Sequence, residues 1–506
     1  MKLTLPRLVT AIIFLAIFAM AMRVSADTDT WWHLRTGEWI VEHGAVPTTD
    51  PFSHTRAGAA WLIPGWLVQV PMYALYARLG YAGLNLFTAF FITLAFVFIY
   101  IACEGHPLGR AFTLVLAAAA SALYWSARPQ IVSFALAAVF AYVLWLYRWR
   151  GINRLWVLAP LMALWANAHG GFAIGFILIA ITLAGQALSL AGRRLRQRAA
   201  PDETLQPAPG DLGWRGLAWL AGIGLACALA VMVNPAGPAM LLYPFRTVSI
   251  GALQDFIQEW QSPNFHLRQT QPFLWLLFAT VAVVIAVRRR ANLTDLLLVG
   301  GAAYLGFVSA RNVALLAIVA PPLLTRHLAE GWDDFRARYP AWGRRWSGRV
   351  LRDDPPGPAL AVNWTLLVVV ALAALAKAAL ALPPAANREE LAKVVPIDAA
   401  DFVQRSHPAG KLFNSYNFGA YLTWALYPDY PVFVDGRTDL YNDVFLREYV
   451  DVALGRPGYN ATLEKYGVNL VLVEANSILG DRLSESADWR KAYSDSLAAV
   501  YERVKP

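Results

Sequence analysis

Long apolar blocks alternate with short polar stretches over the first three quarters of the chain. The blocks cover residues 8–25, 83–103, 109–126, 130–148, 154–169, 172–191, 214–233, 272–288, 293–309, 312–326 and 361–382. Roughly 20 apolar residues cross a bilayer as a helix, fewer where the flanks snorkel. The pattern therefore predicts about eleven transmembrane helices. One further block, 61–79, is broken by Pro64 and Pro71 and carries Gln69 and Arg78. It predicts a helix lying along the outer membrane surface, inside a first outer loop of residues 26–82. Beyond residue 385 the long blocks stop. Short β-like runs at Lys411–Asn414, 431–434 and 469–473 alternate with helix-like stretches around 416–427, 443–453 and 459–466. That alternation predicts a small α/β domain. Pro383 and Pro384 mark its join to the last span. The predicted fold is an α-helical polytopic membrane protein, residues 1–382, with a small C-terminal α/β soluble domain, residues 385–506.

Charge orients this scheme. With the N-terminus in the cytoplasm, the inner loops collect the arginine runs: Arg148, Arg150 and Arg154; Arg193, Arg194, Arg196, Arg198 and Arg215; Arg288, Arg289 and Arg290; Arg326, Arg336, Arg338, Arg344, Arg345, Arg349 and Arg352. The outer loops hold single arginines such as Arg23, Arg35, Arg56 and Arg78. This is the positive-inside bias, and counting 61–79 as a span would invert it for every later loop. The soluble domain is then extracytoplasmic. Lys2 and Arg7, the first apolar block and Val24-Ser25-Ala26 also resemble a signal peptide and its cleavage site. The reading preferred is an uncleaved anchor, because a polar motif begins at once at Asp27. Residues 192–213 predict a flexible loop, and 327–360 a loop holding a short surface helix.

The composition agrees: 58% of the 506 residues are hydrophobic and 15% charged, too little charge for a soluble surface of that length. The net charge of +9 sits in the inner loops, so it carries no nucleic-acid footprint. Cys103 and Cys227 lie in apolar blocks and make no disulfide framework.

Unusual polar residues gather at the outer ends of the spans. The first outer loop opens with Asp27, Asp29, Trp31, Trp32, His33 and Arg35. Arg128 precedes Pro129, His169 precedes Gly170-Gly171, and Arg246, Glu259 and His266 lie in one long loop. Arg311 sits between two spans with almost no loop. Ionisable groups at membrane depth are expensive and mark sites, so a polar cavity at the outer leaflet is expected. A carboxylate can take a proton from a hydroxyl acceptor. Arginines can hold a phosphate and stabilise its departure, and an Asp-x-Asp pair can hold a divalent cation such as Mg or Mn. Simpler roles compete: Asp27 and Asp29 as helix caps, Trp31 and Trp32 as interfacial anchors, Arg128 snorkelling to headgroups. In the soluble domain, Asn414, Tyr416, Asp435, Arg437 and Asp439 follow predicted strand ends, where α/β sheets place ligands. Turn chemistry is the competing reading there.

The plan resembles the GT-C superfamily of membrane glycosyltransferases: a first helix starting inside, a large outer first loop with an acidic motif near its start, a surface helix, and a soluble C-terminal domain. The resemblance covers roughly residues 1–330. It is carried by Asp27, Asp29, the 61–79 block and the stretch 27–66 with Asp50-Pro51-Phe52-Ser53, which is similar to bacterial mannosyltransferase-like members. The Trp-Trp-Asp-Tyr-Gly motif of oligosaccharyltransferase catalytic subunits and the Asp-Glu pair of protein O-mannosyltransferases are absent. The resemblance implies a bacterial inner membrane location and a polyprenyl-phosphate-linked sugar donor, with inverting transfer at the outer face. Asp27 or Asp29 would act as base, and Arg128, His169, Arg246 and Arg311 would contact the donor phosphate. Trp32, His33, Arg35, Glu259, His266 and the soluble-domain residues would bind the sugar or an unknown saccharide, lipid or protein acceptor. Two other classes stay open. One is a carrier of lipid-linked saccharides, disfavoured because Lys377 is the sole charge expected at mid-depth of a span. The other is an O-antigen-ligase-like transferase, in which an acidic first loop is not expected.

Overall fold

The computed structural model describes residues 2–24, 26–200, 206–287, 289–341 and 357–504. Ser25, Arg288, Arg344, Arg345, Arg349 and Arg352 lie outside them. All eleven predicted spans are helices. In chain order the elements are α1 (Leu5–Ala21), α2 (Thr30–His43), α3 (Trp66–Leu79), α4 (Tyr81–Ala102), α5 (Pro107–Ser121), α6 (Gln130–Arg150) and α7 (Leu158–Ala168). Then come α8 (Ala173–Ala199), α9 (Trp214–Val231), α10 (Ala239–Val248), α11 (Gly251–Phe256), α12 (Gln271–Ala286), α13 (Leu293–Val308), α14 (Val313–Arg338) and a last span, Gly357–Ala381. Among the described residues, seven of these helices are long and apolar enough to cross a membrane; α1, the α7 segment, α12 and α13 are apolar but shorter. Local sequence sets the ends. Helix α6 stops at Gly151, whose φ of 65° only glycine adopts without strain, and Arg148 and Arg150 sit in its last turn against the helix dipole. Helix α3 has 14 residues, with Pro71 inside it and Arg78 in its last turn, and is not among the helices apolar enough to be read as spans. It packs on α2 and α4.

Several expectations about the loops change. Residues 192–199 continue α8, and the chain after 205 is tied down rather than free. Gln186 Nε2 donates to the Gly210 carbonyl at 3.0 Å, Leu212 N donates to Gln186 Oε1 at 2.5 Å, and Asn292 Nδ2 donates to Asp211 at 3.1 Å. The 327–360 arm begins as an extension of α14 to Arg338. Arg326 and Arg148, read from sequence as loop charges, are buried on their helices against Asp295. Lys377 is not a mid-depth charge. It lies four residues from the end of its helix and donates to the carbonyls of Ala19 and Met22, capping the negative end of α1.

The C-terminal domain is built on a four-stranded mixed sheet. Its strands are β1 (Lys411–Asn414), β2 (Val468–Glu474), β3 (Trp489–Ser494) and β4 (Ala498–Arg503), in the order β1-β2-β4-β3. β1 and β2 are parallel, and the other pairs antiparallel. The expected strand 431–434 is not in this sheet. It pairs instead with the first loop of the membrane domain: Val432 N donates to Phe52 O and His54 N to Val432 O, both at 3.1 Å. The side chain of Asn414 holds its other edge, accepting from Phe433 N and donating to Val434 O, both at 2.8 Å.

The two parts share one core. Trp31, only 2% exposed, sits among Tyr76, Tyr81, Tyr421 and Trp424 at centroid distances of 5.3–6.2 Å. It is neither an interfacial anchor nor a sugar platform. Phe52 and Trp61 of the first loop pack with Phe413, Phe433 and Val434. Beneath them lies a fully buried ion cluster. Arg437 donates to Asp435 at 2.7–2.9 Å and to Asp50 at 2.5 Å, with all three side chains at 0% exposure. Its guanidinium lies 4.6 Å from the Trp61 ring centroid and 5.2 Å from that of Phe52. Removing one partner from such a cluster strands buried charges. Arg437→Ala is therefore expected to cost about 3–5 kcal/mol, read as a lowered unfolding temperature in detergent. A loss below about 1 kcal/mol, the size of an exposed pair, would contradict the cluster's role in docking the domain.

Candidate active site

At the end of the bundle opposite the arginine runs, Arg128 draws three chain segments together. It lies just before α6, where Pro129 fixes the turn. Its Nε donates to Asp27 Oδ1 at 2.5 Å, and its Nη1 lies 3.2 Å from Asp29 Oδ2 and 3.1 Å from Glu259 Oε1. Asp27 also accepts from Asp29 N at 2.9 Å, a turn that aims both carboxylates inward. Asp29 occupies the N-cap position of α2 but makes no side-chain cap bond, so capping does not explain it. Burial opposes the charge on Arg128, and the carboxylates of Asp27, Asp29 and Glu259 outweigh it, holding the guanidinium firmly protonated.

Asp29 is set apart from its neighbours. Its side chain keeps 26% exposure, yet protein surrounds it closely. Burial pushes its pKa up to about 7, Arg128 opposes the rise, and Asp27, Glu259 and Asp435 add to it. The soluble domain touches it directly. A Cβ built on Gly436 would lie 2.0 Å from Asp29 Oδ1, so only glycine lets that loop close over the carboxylate.

Two histidines and a free cation line the same end. Gln69 Nε2 lies 2.8 Å from His33 Nδ1, which assigns the imidazole proton to Nε2. Burial lowers the His33 pKa, helped by Arg128 and His169, so the ring is neutral. The indole of Trp165 can only donate, and does so to Ser133 Oγ at 2.7 Å. His169 Nδ1 accepts from Gly171 N at 3.0 Å, so Ser133, 2.8 Å away, donates to it as well. Nδ1 is thus an acceptor and Nε2 carries the proton. Arg311 lies over Trp260, 4.4 Å from the ring centroid. It has no carboxylate partner among the described residues. Ser309 Oγ donates to Glu259 O at 2.9 Å and Ala310 N to Gln261 O at 2.9 Å, joining the Arg311 turn to the Glu259 segment. Tyr243 packs its ring on Gly170 and lies near Asp439, whose pKa burial raises to about 6. Tyr416 lies near Asp29 and Glu259.

Asp27, Asp29, His33, Arg128, His169, Glu259, Arg311, Tyr416 and Asp439 therefore gather at one end. Arg246 and His266 do not join them, and both are exposed. Arg35 pairs with Glu38 and donates to Tyr427 O at 3.1 Å, docking the soluble domain. Trp32 packs between His33 and Trp61. Asn414, Asp435 and Arg437 are at most 1% exposed and spend their polar atoms inside the protein, so they form no ligand surface. Sequence reasoning missed Ser133, a hydroxyl in an apolar span that fixes the His169 tautomer, and the close contact of Gly436 with Asp29. The carboxylates of Asp27 and Asp29 are turned to Arg128, and no group of three or more His, Cys, Asp or Glu side chains is arranged for a metal among the described residues.

No family model and no curated protein matches the chain. Solved structures do. The Archaeoglobus fulgidus oligosaccharyltransferase tethered to an acceptor peptide aligns with a TM-score of 0.54 and 12% identity, over 98% of this chain and 74% of that one. ArnT from Cupriavidus metallidurans bound to undecaprenyl phosphate aligns with a TM-score of 0.52 and 14% identity, over 97% and 96%. A further structure of the archaeal enzyme, in complex with zinc and sulfate, aligns with a TM-score of 0.52 and 12% identity, over 92% and 68%. At such identities the fold is what is shared. Those proteins are GT-C glycosyltransferases, and this chain is a multi-pass helical membrane protein with the GT-C fold.

Proposed function

We propose that the chain is a membrane glycosyltransferase. It moves a sugar from a polyprenyl-phosphate carrier to a hydroxyl acceptor at the end of the bundle covered by the soluble domain, inverting the anomeric centre. The observation that carries this reading is the pairing of unlike groups at one place. Asp29 titrates near neutrality beside two further carboxylates, all three drawn to Arg128, with Arg311, which has no carboxylate partner among the described residues, near His169. A neighbour of the same fold holds undecaprenyl phosphate, which supports the donor class. Asp29 takes the acceptor proton as the acceptor oxygen bonds to the anomeric carbon, and the carrier phosphate leaves with the bonding electrons. Arg311 and the Nε2–H of His169 meet the charge that develops on that phosphate. Arg128 supplies the positive charge that keeps Asp27, Asp29 and Glu259 together. Glu259, half exposed, and Tyr416 and Asp439 of the soluble domain border the space the acceptor enters. By the resemblance, the setting is a bacterial inner membrane with this end facing outward.

Lipid retention tests the phosphate assignment. Undecaprenyl phosphate added to the detergent-purified protein should be retained in native mass spectrometry. Arg311→Ala should weaken retention at least about tenfold, the loss of one charge-assisted contact, while Asp29→Asn should leave it unchanged. Equal retention by wild type and Arg311→Ala would remove the phosphate site. With a turnover assay in hand, Asp29→Asn should abolish transfer; a non-catalytic lipid carrier would show no selective loss.

The pH dependence follows from Asp29. A base must be ionised, so the transfer rate should rise through about pH 7, where Asp29 titrates, and level off above it. The folded state keeps a proton that the unfolded chain, with the ordinary aspartate value of 3.8, gives up. The Asp29 contribution to stability is therefore present at low pH and lost as pH rises toward 7. A rate profile flat between pH 5.5 and 8.5, to be scanned in steps of about half a unit, would contradict the assignment.

A further inference from the structure

Helix α10 turns its large apolar side chains outward, although it stands in a loop between two spans. Leu242, Phe245 and Val248 recur every three residues, so they share one side of the helix. All three are exposed, Phe245 at 74%. The other side is occupied by protein: Met240 is fully buried and the Tyr243 ring lies against Gly170. Leaving such side chains in water forgoes their burial, and a contiguous apolar face marks a surface that something apolar covers.

Two fastenings fix the depth of this helix. Before it, Asn234 Nδ2 donates to Ala166 O and to Asn167 Oδ1, both at 3.0 Å, and Asn167 Nδ2 donates to Val233 O at 2.6 Å. These bonds join the turn leaving α9 to the last turn of α7. At the middle of α10, Tyr243 packs on Gly170, where the chain passes from α7 to α8. Helix α10 therefore lies level with the ends of α7, α8 and α9, where spans meet the membrane surface. Its outward face also continues one already turned to lipid. Leu225, Leu229 and Val233 recur every four residues along the spanning helix α9 and just past its end, and each is more than half exposed. Arg246, exposed beside the stripe, pairs with no carboxylate among the described residues. A ten-residue helix is too short to span. An apolar face at interface depth with a cation at its edge suits a helix lying in the interface. Past α10 the chain is clamped to the soluble domain: Ala252 N donates to Asp443 Oδ1 at 2.7 Å, and Arg447 bridges Asp443 and Asp255 at 2.9 Å and 2.8 Å.

We infer that α10 is a membrane-seated wall of the candidate site. Leu242, Phe245 and Val248 enter the leaflet at this end of the bundle, and Arg246 meets the phosphates of its headgroups. The inward Tyr243 bears on the turn that carries His169. The inference does not depend on the transfer reading.

The test is spin labelling of the full chain in vesicles of phosphatidylcholine and phosphatidylglycerol. Single cysteines go to exposed positions, where substitution disturbs packing little: Leu242→Cys, Phe245→Cys, Arg246→Cys and, as a reference in the soluble domain, Glu485→Cys. Cys103 and Cys227 are buried, and the unsubstituted chain is the labelling control. Labels at Leu242 and Phe245 should relax faster with oxygen, which concentrates in hydrocarbon, than with a water-soluble nickel chelate. Their depth should be about 5–10 Å below the lipid phosphates. The label at Glu485 should show the reverse preference, and the label at Arg246 should lie shallower than the one at Phe245. The Glu485 preference at Leu242 and Phe245 would place α10 in water and overturn the seating. Shielding of both labels from both reagents would show a protein cover and overturn the lipid assignment. A label at Arg246 as deep as the one at Phe245 would overturn the headgroup contact.

Discussion

One guanidinium holds the candidate site together. Asp27, Asp29 and Glu259 come from segments more than two hundred residues apart, and three carboxylates do not gather unless a cation sits among them. Arg128 is that cation, and its side chain is only 12% exposed, so solvent screens the attraction little. The pairing fixes the chain leaving α1, the start of α6 and the segment before α12 at one point. The unequal environments of the carboxylates follow from the same contact. Asp27 accepts the short bond from Nε, whereas burial pushes Asp29 up to about 7 against the pull of Arg128. A carboxyl that titrates near neutrality is suited to acid–base work.

The soluble domain is part of this arrangement. The pairing of Val432 with the 52–54 stretch, the buried Asp50–Arg437–Asp435 cluster and the ring cluster around Trp31 fasten it to the first loop. The fastening brings Gly436 onto Asp29 and Asp439 near Tyr243. A polar loop of one domain thereby walls the site of the other, and the domain junction and the site share one set of constraints.

The spans were legible because apolar length is a strong signal, and each block of the sequence is a helix. The soluble domain was legible in part. β1, β2 and the helices Tyr416–Leu426, Asp443–Ala453 and Tyr459–Lys465 fall where the pattern puts them. β3 and β4 were missed: half of the β3 residues are exposed at the sheet edge and β4 is a buried run, so no alternation marks either. Asp27, Asp29, Arg128, His169, Glu259 and Arg311 could be picked out because charge at the end of an apolar span is rare. Asp435 and Arg437 misled. Position after a strand suggests a ligand site, but their partner Asp50 lies 387 residues from Arg437, and no local pattern reports it. Asp295 and Arg326 were hidden for the same reason, since a buried pair between two spans reads in sequence as a stray charge near a loop. The absent oligosaccharyltransferase motif and the strong fold match to an oligosaccharyltransferase are compatible, because folds carry sites of many kinds.

The central claim is that the cluster around Arg128, under the soluble domain, faces a lipid-linked phosphate held by Arg311. A structure of the protein with undecaprenyl phosphate bound tests it most directly. The account predicts phosphate density within hydrogen-bond reach of Arg311 and His169 Nε2, at the end of the bundle bearing Asp27 and Asp29. Phosphate density at the Arg148–Arg326 end, or none near Arg311 at saturating lipid, would contradict it.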